Sequence, residues 1–143
     1  MNLVIDANVL FTFFWKDSVL RNILLKSDIK LFSPEYSLEE IDKYSSYIMK
    51  KANLSKEDFK KIREEMVLFI EFIPLKEYQS FFKEFESTLK NLSENDKLEF
   101  LKDIDYLVLA LKLRYPLWSN DGLLKNQSIV IVFTTKEVIE LLS

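Results

Sequence analysis

The chain contains neither cysteine nor histidine, and these two absences exclude several kinds of chemistry. Without cysteine there are no disulfides and no thiolate metal sites. Without histidine, Ser-His-Asp and Cys-His catalysis are impossible, and so are zinc sites built on imidazole. A metal ion in this protein must therefore bind oxygen ligands, which favours Mg²⁺ or Mn²⁺.

Glycine and long apolar runs are also scarce. Gly122 is the only glycine, which excludes phosphate-binding loops rich in glycine. No apolar run reaches the length of a membrane span, and Asp6 and Asn8 interrupt the apolar N-terminal segment, which no basic region precedes. We therefore expect no secretory signal and no membrane segment, and the lack of cysteine is compatible with a cytoplasmic protein.

What the chain does contain is typical of one packed globular domain. Its 143 residues are 48% hydrophobic and 14% aromatic, enough to build a core, so we assign residues 1–143 to a single domain. The net charge of −3 does not indicate a general nucleic-acid binder. One local stretch is basic, however, and is either a solvated helix face or a phosphate-contacting patch: Lys50, Lys51, Lys56, Lys60, Lys61 and Arg63.

Short apolar runs alternate with segments of helical periodicity along the chain. The runs predict strands at 2–6, 29–33, 71–75, 117–119 and 129–133. The periodicity predicts helices at about 9–26, 37–51, 55–70, 78–92, 95–102, 103–115 and 135–142. This alternation predicts an α/β three-layer fold, in which helices flank a central, mostly parallel twisted sheet.

Four acidic residues stand where apolar runs stop or begin: Asp6, Glu40, Asp103 and Asp121. Asp6 and Asp121 end predicted strands, and the carboxyl ends of parallel strands form the functional rim of such sheets. Carboxylates gathered at one rim repel each other unless a divalent cation neutralises them, which predicts a metal-dependent enzyme.

Each acid also has a plain structural explanation. Asp6 fits a helix N-cap, Glu40 fits a capping box that begins at Ser37, and Asp103 fits a cap for a helix starting at the next residue. Asp121 lies in a good turn sequence, Ser-Asn-Asp-Gly. The joint occurrence of the four is harder to attribute to capping alone.

Four segments together resemble the motifs of the PIN-domain nucleases, the group that includes PilT N-terminus-like proteins, VapC-type toxins and related ribonucleases. Residues 3–10 are similar to the first motif, an apolar strand followed by Asp-x-Asn, and residues 117–121 are similar to the fourth, a strand ending in Ser/Thr-Asn-Asp. Residues 34–41 and 103–111 resemble the second and third motifs. The motifs occur in the order that the family shows and span nearly the whole chain.

The resemblance implies a metal site and a reaction. Asp6, Glu40, Asp103 and Asp121 match the acidic metal-binding residues of the family, and Asn8 and Ser119 match polar residues that support the site. Two positions have competitors. Glu39 competes with Glu40, and Asp105 competes with Asp103 or is an additional ligand. The implied activity is endonucleolytic, Mg²⁺- or Mn²⁺-dependent hydrolysis of RNA.

The resemblance also implies partners. Many such proteins are the toxin half of a toxin–antitoxin pair, held inactive by a small antitoxin, and homodimers are common. Phe13, Phe14 and Trp15 are candidates for a dimer contact, with ordinary core packing as the preferred reading.

Two other functions compete with the nuclease. In a phosphoaspartate enzyme Asp6 would be the nucleophile, but that class needs a second acid two residues later, where this chain has Asn8. The other is a non-catalytic PIN-like domain used for RNA binding or assembly.

Overall fold

The protein folds around one five-stranded sheet, and the computed structural model describes all 143 residues. Every neighbouring pair of strands is parallel, and the strand order is β3-β2-β1-β4-β5. The strands are β1 (Asn2–Ile5), β2 (Lys30–Pro34), β3 (Ile70–Ile73), β4 (Leu117–Trp118) and β5 (Val132–Phe133). The α/β three-layer fold predicted from the alternation is confirmed.

Nine α-helices and three short 3₁₀ segments connect and cover the strands. The helices are α1 (Ala7–Phe11), α2 (Val19–Lys26), α3 (Tyr36–Lys43), α4 (Ser45–Ala52), α5 (Lys56–Phe69), α6 (Glu86–Lys90), α7 (Glu94–Leu113), α8 (Gly122–Lys125) and α9 (Thr135–Leu142). The 3₁₀ segments are Thr12–Phe14, Leu75–Glu77 and Gln79–Phe85. None of the helices combines the length and apolar composition that crossing a bilayer requires.

The sheet separates two hydrophobic cores, one on each face. In β1, Leu3 and Ile5 belong to one core, while Val4 belongs to the other, as the alternation of side chains along a strand requires. The Val4 core is built largely from α7, and the opposite core from residues of α1 to α5 and α9. Residues 3–5 of β1 form an uninterrupted apolar run, which is typical of parallel strands that are covered on both faces.

Two of the predicted helices are broken in the structure. The predicted helix at 9–26 is divided, because Ser18 leaves the helical conformation and its hydroxyl accepts a hydrogen bond from the Arg21 N–H at 3.1 Å, starting α2. The predicted helix at 37–51 is interrupted at Tyr44, whose backbone lies at φ −99°, ψ 18°. Hydrogen bonds still run from Tyr44 N to Glu40 O and from Ile48 N to Tyr44 O, so α3 and α4 meet at a bend.

The two helices predicted at 95–102 and 103–115 are one helix, α7. Its N-cap is Ser93, whose hydroxyl accepts from the Asp96 N–H at 3.2 Å, and its C-cap is Arg114, in the left-handed conformation. Asp103 therefore lies in the middle of a helix, and the interpretation of this residue as a helix start or cap was wrong. No proline or glycine occurs between residues 94 and 113 to break the helix.

The remaining differences concern short elements. Of the strand predicted at 129–133, only the last two residues form a strand, which is β5. The residues before them lie in a turn, because the Gln127 side-chain carbonyl accepts hydrogen bonds from the Ile129 and Val130 N–H groups at 2.9 and 2.8 Å. The helix predicted at 78–92 is largely 3₁₀, and only α6 is α-helical. The short helix α8 was not predicted.

Candidate active site

A cleft of about 780 Å³ opens beside the carboxyl ends of β1 and β4. Among the residues that line it are three of the four predicted acids, Glu40, Asp103 and Asp121, together with Asn8. They come from α3, α7, the N-terminus of α8 and α1, which the parallel sheet brings to one edge. The prediction that these acids meet at the carboxyl rim agrees with this placement.

Asp6 lies beneath this cleft and is almost completely buried, at 4% exposure. Its Oδ1 accepts a hydrogen bond from the Val9 N–H at 2.9 Å, so it is the N-cap of α1, and its Oδ2 accepts from the Ser119 hydroxyl. Burial raises the pKa of Asp6 to about 6 against these hydrogen bonds, and the nearby Asp121 charge adds to the rise. The capping and site interpretations of Asp6 are thus compatible.

Ser119 connects Asp6 to Asp121. The buried Ser119 hydroxyl donates to Asp6 and accepts from the Asp121 N–H at 3.0 Å. Asp121 Oδ1 accepts in turn from the Leu123 N–H at 2.8 Å, which makes Asp121 the N-cap of α8. The spacing Ser-Asn-Asp therefore lets one hydroxyl fix the relative positions of two carboxylates at the ends of adjacent strands.

The residue between them, Asn120, has a structural role that the sequence interpretation missed. Its side-chain carbonyl accepts from the Thr135 N–H at 2.8 Å, and its amide donates to the Thr135 hydroxyl at 2.9 Å. Both bonds fix the end of β4 to the start of α9. The only signal in the sequence is an amide side chain between two site residues.

Asp103 is half-buried in the wall of the cleft and makes no cap, because it lies inside α7. Burial and, after it, the charges of Asp6 and Asp121 together raise the pKa of its carboxyl to about 7. Lys102 opposes this effect weakly. Asp6, Asp103 and Asp121 are therefore close enough to repel one another in a poorly solvated place.

The structure separates the competing residues Glu39 and Glu40. Glu40 lines the cleft, whereas Glu39 is exposed on α3 and does not. The capping-box explanation of Glu40 was wrong, since Ser37 lies inside α3 and its hydroxyl donates to the Pro34 carbonyl at 2.6 Å. After burial, the Glu40 charge is the next cause that raises the pKa of the Tyr36 hydroxyl beside it.

Asp105 does not line the cleft with Asp103. Its Oδ2 accepts a hydrogen bond from the Tyr78 hydroxyl at 2.7 Å, and this bond and burial together raise the pKa of Tyr78. Two residues apart on a helix, Asp103 and Asp105 point in different directions, so only one of them reaches the cleft.

The donor chemistry of the cleft fits a hard divalent cation. All available ligands are oxygens, the carboxylates repel each other, and Asp103 and Asp121 open towards the cleft. Both Asp6 oxygens accept hydrogen bonds, but each keeps a lone pair that is able to bind a metal. No three carboxylates lie close enough together to form a preformed coordination group. The cleft therefore suits a divalent cation by its charge and by the type of its ligands, and two of its carboxylates, Asp103 and Asp121, are open to the cleft.

Of the six basic side chains singled out in the sequence, only Arg63 makes an ion pair, with two hydrogen bonds to Asp42 at 3.1 and 3.3 Å. Outside that stretch, Lys125 pairs with Glu137 and holds the pKa of that carboxyl at about 2. Within the basic stretch Lys51 is the residue that lines the cleft, so the stretch is mainly a solvated face.

The aromatic residues proposed for a dimer contact divide between the core and the cleft. Phe13 and Phe14 are buried, at 2% and 1% exposure, and Phe14 stacks on Phe59 with ring centroids 4.9 Å apart. Core packing is thus confirmed for both, and a dimer contact through them is wrong. Trp15 is partly exposed and lines the cleft.

A doubly wound parallel sheet with carboxylates gathered at its carboxyl rim defines a class of α/β domains built to bind ligands at that rim. The family model of the PIN domain matches residues 4–141, nearly the whole chain, and the chain belongs to the PIN-domain family.

The same fold occurs in a solved structure. A chain of the crystal structure of VapBC2 from Rickettsia felis, bound to a DNA fragment from their promoter, is 18% identical and superposes with a TM-score of 0.65 over 94% of this chain and 98% of that one. No curated protein sequence matches the chain.

Proposed function

We propose that this protein is an endoribonuclease that requires Mg²⁺ or Mn²⁺ and hydrolyses RNA phosphodiester bonds in the cytoplasm. One observation carries the proposal: Asp6, Asp103 and Asp121 come from three different elements and meet in a poorly solvated place, where burial first and their mutual repulsion second raise the pKa of Asp6 and Asp103. Perturbed carboxyls in a cleft mark candidate functional sites, and membership of the PIN-domain family supports the same conclusion.

Each acid has a role in this proposal. Asp103 and Asp121 would hold the ion from the cleft wall, Asp6 would bind it directly or through water, and Glu40 would ligate it or orient the attacking water. A divalent ion, when bound, supplies a water of lowered pKa and stabilises charge on the phosphate oxygens. Asn8 and Ser119 support the site, Ser119 by holding Asp6 and Asp121 in register.

We also propose that the protein is the toxin of a toxin–antitoxin pair, and that a small antitoxin-like protein binds it. The support is the likeness to a chain of the VapBC2 structure, which extends over 94% of this chain. A homodimer remains part of this proposal only through surfaces other than Phe13 and Phe14, which are buried.

A non-catalytic PIN-like domain for RNA binding or assembly is the second candidate, and one observation favours it. No three carboxylates lie close enough to hold a metal without rearrangement. A scaffold would nevertheless retain the repulsion among Asp6, Asp103 and Asp121 without benefit, which is why the nuclease is preferred.

The two candidates are separated by cleavage of a labelled single-stranded RNA in Mn²⁺. The wild type is compared with Asp121→Asn, with Asp105→Asn as a matched control outside the cleft, and with an EDTA sample. The nuclease predicts cutting that EDTA and Asp121→Asn abolish and that Asp105→Asn retains. If the folded wild type neither cuts RNA nor is stabilised by Mn²⁺, the nuclease is excluded and the non-catalytic domain is the better hypothesis.

A further inference from the structure

The acidic cleft is also lined by aromatic rings and lysines, which the proposed chemistry does not use. We call this set the aromatic wall, and its members are Trp15, Lys43, Tyr44, Tyr47 and Lys51. Trp15 follows the first 3₁₀ segment, Lys43 ends α3, and Tyr44 lies at the bend between α3 and α4. Tyr47 and Lys51 belong to α4.

The rings of the aromatic wall are open to solvent. Tyr44 is 42% exposed and Tyr47 is 54% exposed, and Phe69 is the only other aromatic residue of the chain that is exposed. Tyr47 and Lys51 lie four residues apart on one face of α4, and Tyr44 directly precedes this helix, while Ile48 is buried in the core. The core therefore does not need these rings.

The two lysines lie against the rings. The Lys51 ammonium is 5.5 Å from the Trp15 ring centroid and 5.7 Å from that of Tyr47, and it donates to the Tyr47 hydroxyl at 3.3 Å. The Lys43 ammonium lies 5.4 Å from the Tyr44 centroid. Neither lysine takes part in any of the four ion pairs of the protein. Positive charge is thus held at the aromatic faces with no carboxylate neutralising it.

We infer that the aromatic wall is a base-binding subsite, which holds unpaired nucleobases of the substrate next to the bond that is cut. This inference rests on the proposed ribonuclease function. Exposed rings accept bases by stacking, and lysines beside them contact the intervening phosphates. A duplex hides the faces of its bases and offers nothing to stack on Tyr44 and Tyr47.

The charge distribution of the cleft supports the same assignment. Glu40, Asp103 and Asp121 repel a phosphate backbone, so a strand needs attraction from the rest of the cleft to enter it. Lys43 and Lys51 supply positive charge, and the rings supply stacking contacts whose strength does not depend on the negative charge of the acids. Because every base has a π-face, the aromatic wall contributes affinity without choosing a sequence.

The test is direct binding of a fluorescent eight-nucleotide oligo(U) RNA to the full chain in Ca²⁺, without any need for cleavage. A second oligomer of the same length is abasic, so it keeps the phosphates and lacks the bases. Intrinsic fluorescence gives an independent signal: of the two tryptophans, Trp118 is buried at 1% exposure, so quenching by a stacked base reports on Trp15.

Tyr47→Ala should weaken oligo(U) binding by about tenfold, while Tyr47→Phe, which keeps the ring, stays within about twofold of the wild type. The abasic oligomer should bind more weakly than oligo(U) and be insensitive to Tyr47→Ala. Lys51→Ala should reduce the slope of the logarithm of the binding constant against the logarithm of the salt concentration by about one, the value expected for the loss of one phosphate contact. Its matched control is Lys50→Ala, the same charge change one residue away and outside the cleft.

Two results would overturn the inference. One is equal binding of oligo(U) and the abasic oligomer, and the other is an affinity for oligo(U) that Tyr47→Ala leaves unchanged, as expected if the aromatic wall receives a protein partner instead. Failure of the proposed function looks different: base-dependent binding persists, but no cutting occurs in Mn²⁺. If the protein cuts RNA normally but binds oligo(U) and the abasic oligomer equally well, the inference about the aromatic wall is wrong and the proposed nuclease function stands.

Discussion

Replacing Asp103 by asparagine should stabilise the metal-free protein at neutral and alkaline pH. The pKa of Asp103 rises from 3.8 to about 7 on folding, first through burial and then through the charges of Asp6 and Asp121. Between these two values the folded state binds more protons than the unfolded state, so the free energy of unfolding falls as pH rises. The stability that Asp103 contributes by binding a proton in the folded state is fully present below about pH 4 and is lost above about pH 7.

The size of the effect follows from the shift. An increase of roughly three pKa units corresponds to about 4 kcal/mol if the group is fully shielded. Asp103 is only half-buried and solvent screens part of the repulsion, so we expect about 1–2 kcal/mol. For a domain of this length that corresponds to a rise in Tm of about 3–8 °C.

The assay is thermal unfolding in EDTA at pH 5, 6, 7 and 8, conditions chosen to cross the pKa of Asp103. Asp103→Asn should unfold at a higher temperature than the wild type at pH 8, and this gain should be clearly smaller at pH 5, where only part of the cost of ionising Asp103 has developed. Asp105→Asn is the control, because Asp105 lies outside the cleft and accepts from the Tyr78 hydroxyl. A gain at pH 8 no larger than at pH 5 would falsify the electrostatic reasoning.

Three further outcomes are expected. Mn²⁺ at 100 times its Kd should raise the free energy of unfolding by about 2.7 kcal/mol in the wild type and much less in Asp121→Asn; equal stabilisation of both in calorimetry would place the ion elsewhere. Ser119→Ala should cost about 1–3 kcal/mol in denaturant unfolding, because Asp6 and the Asp121 N–H lose their partner. The loss should be larger at pH 8 than at pH 5, since this hydrogen bond lowers the pKa of Asp6, and a pH-independent loss would contradict that. Phe14→Ala should cost about 3–5 kcal/mol by the same method, and a near-neutral result would mean that Phe14 is not core.

The parts of the fold that were predictable are those set by local pattern. The run Leu3-Val4-Ile5 is apolar at every position, which indicates a strand covered on both faces, and the structure divides these residues between two cores. Such a strand must be parallel and central, so the position of Asp6 at the carboxyl rim followed from the sequence. The same reasoning located Asp121 after β4.

The parts that were missed depend on contacts between distant elements. The breaks at Ser18 and Tyr44 are not visible in a hydrophobic period that continues through both. The exposure of Tyr44 and Tyr47 was equally hidden, because a ring at helical spacing is more often core than surface. Only the packing of α4 beside the cleft shows that these two rings remain open.

Asp103 gives the strongest argument that the carboxylates are there for function, because folding explains Asp6 and Asp121. Asp6 and Asp121 each cap a helix, so stability alone could account for them. Asp103 caps nothing: it lies in the middle of α7, where every nearby backbone N–H is used by the helix and aspartate has a low helix propensity. Its carboxyl is half-buried against two like charges, which destabilises the metal-free protein at neutral pH. In our proposal a divalent cation accounts for this residue, which weakens both its helix and its surroundings, because the cation would turn the repulsion into attraction.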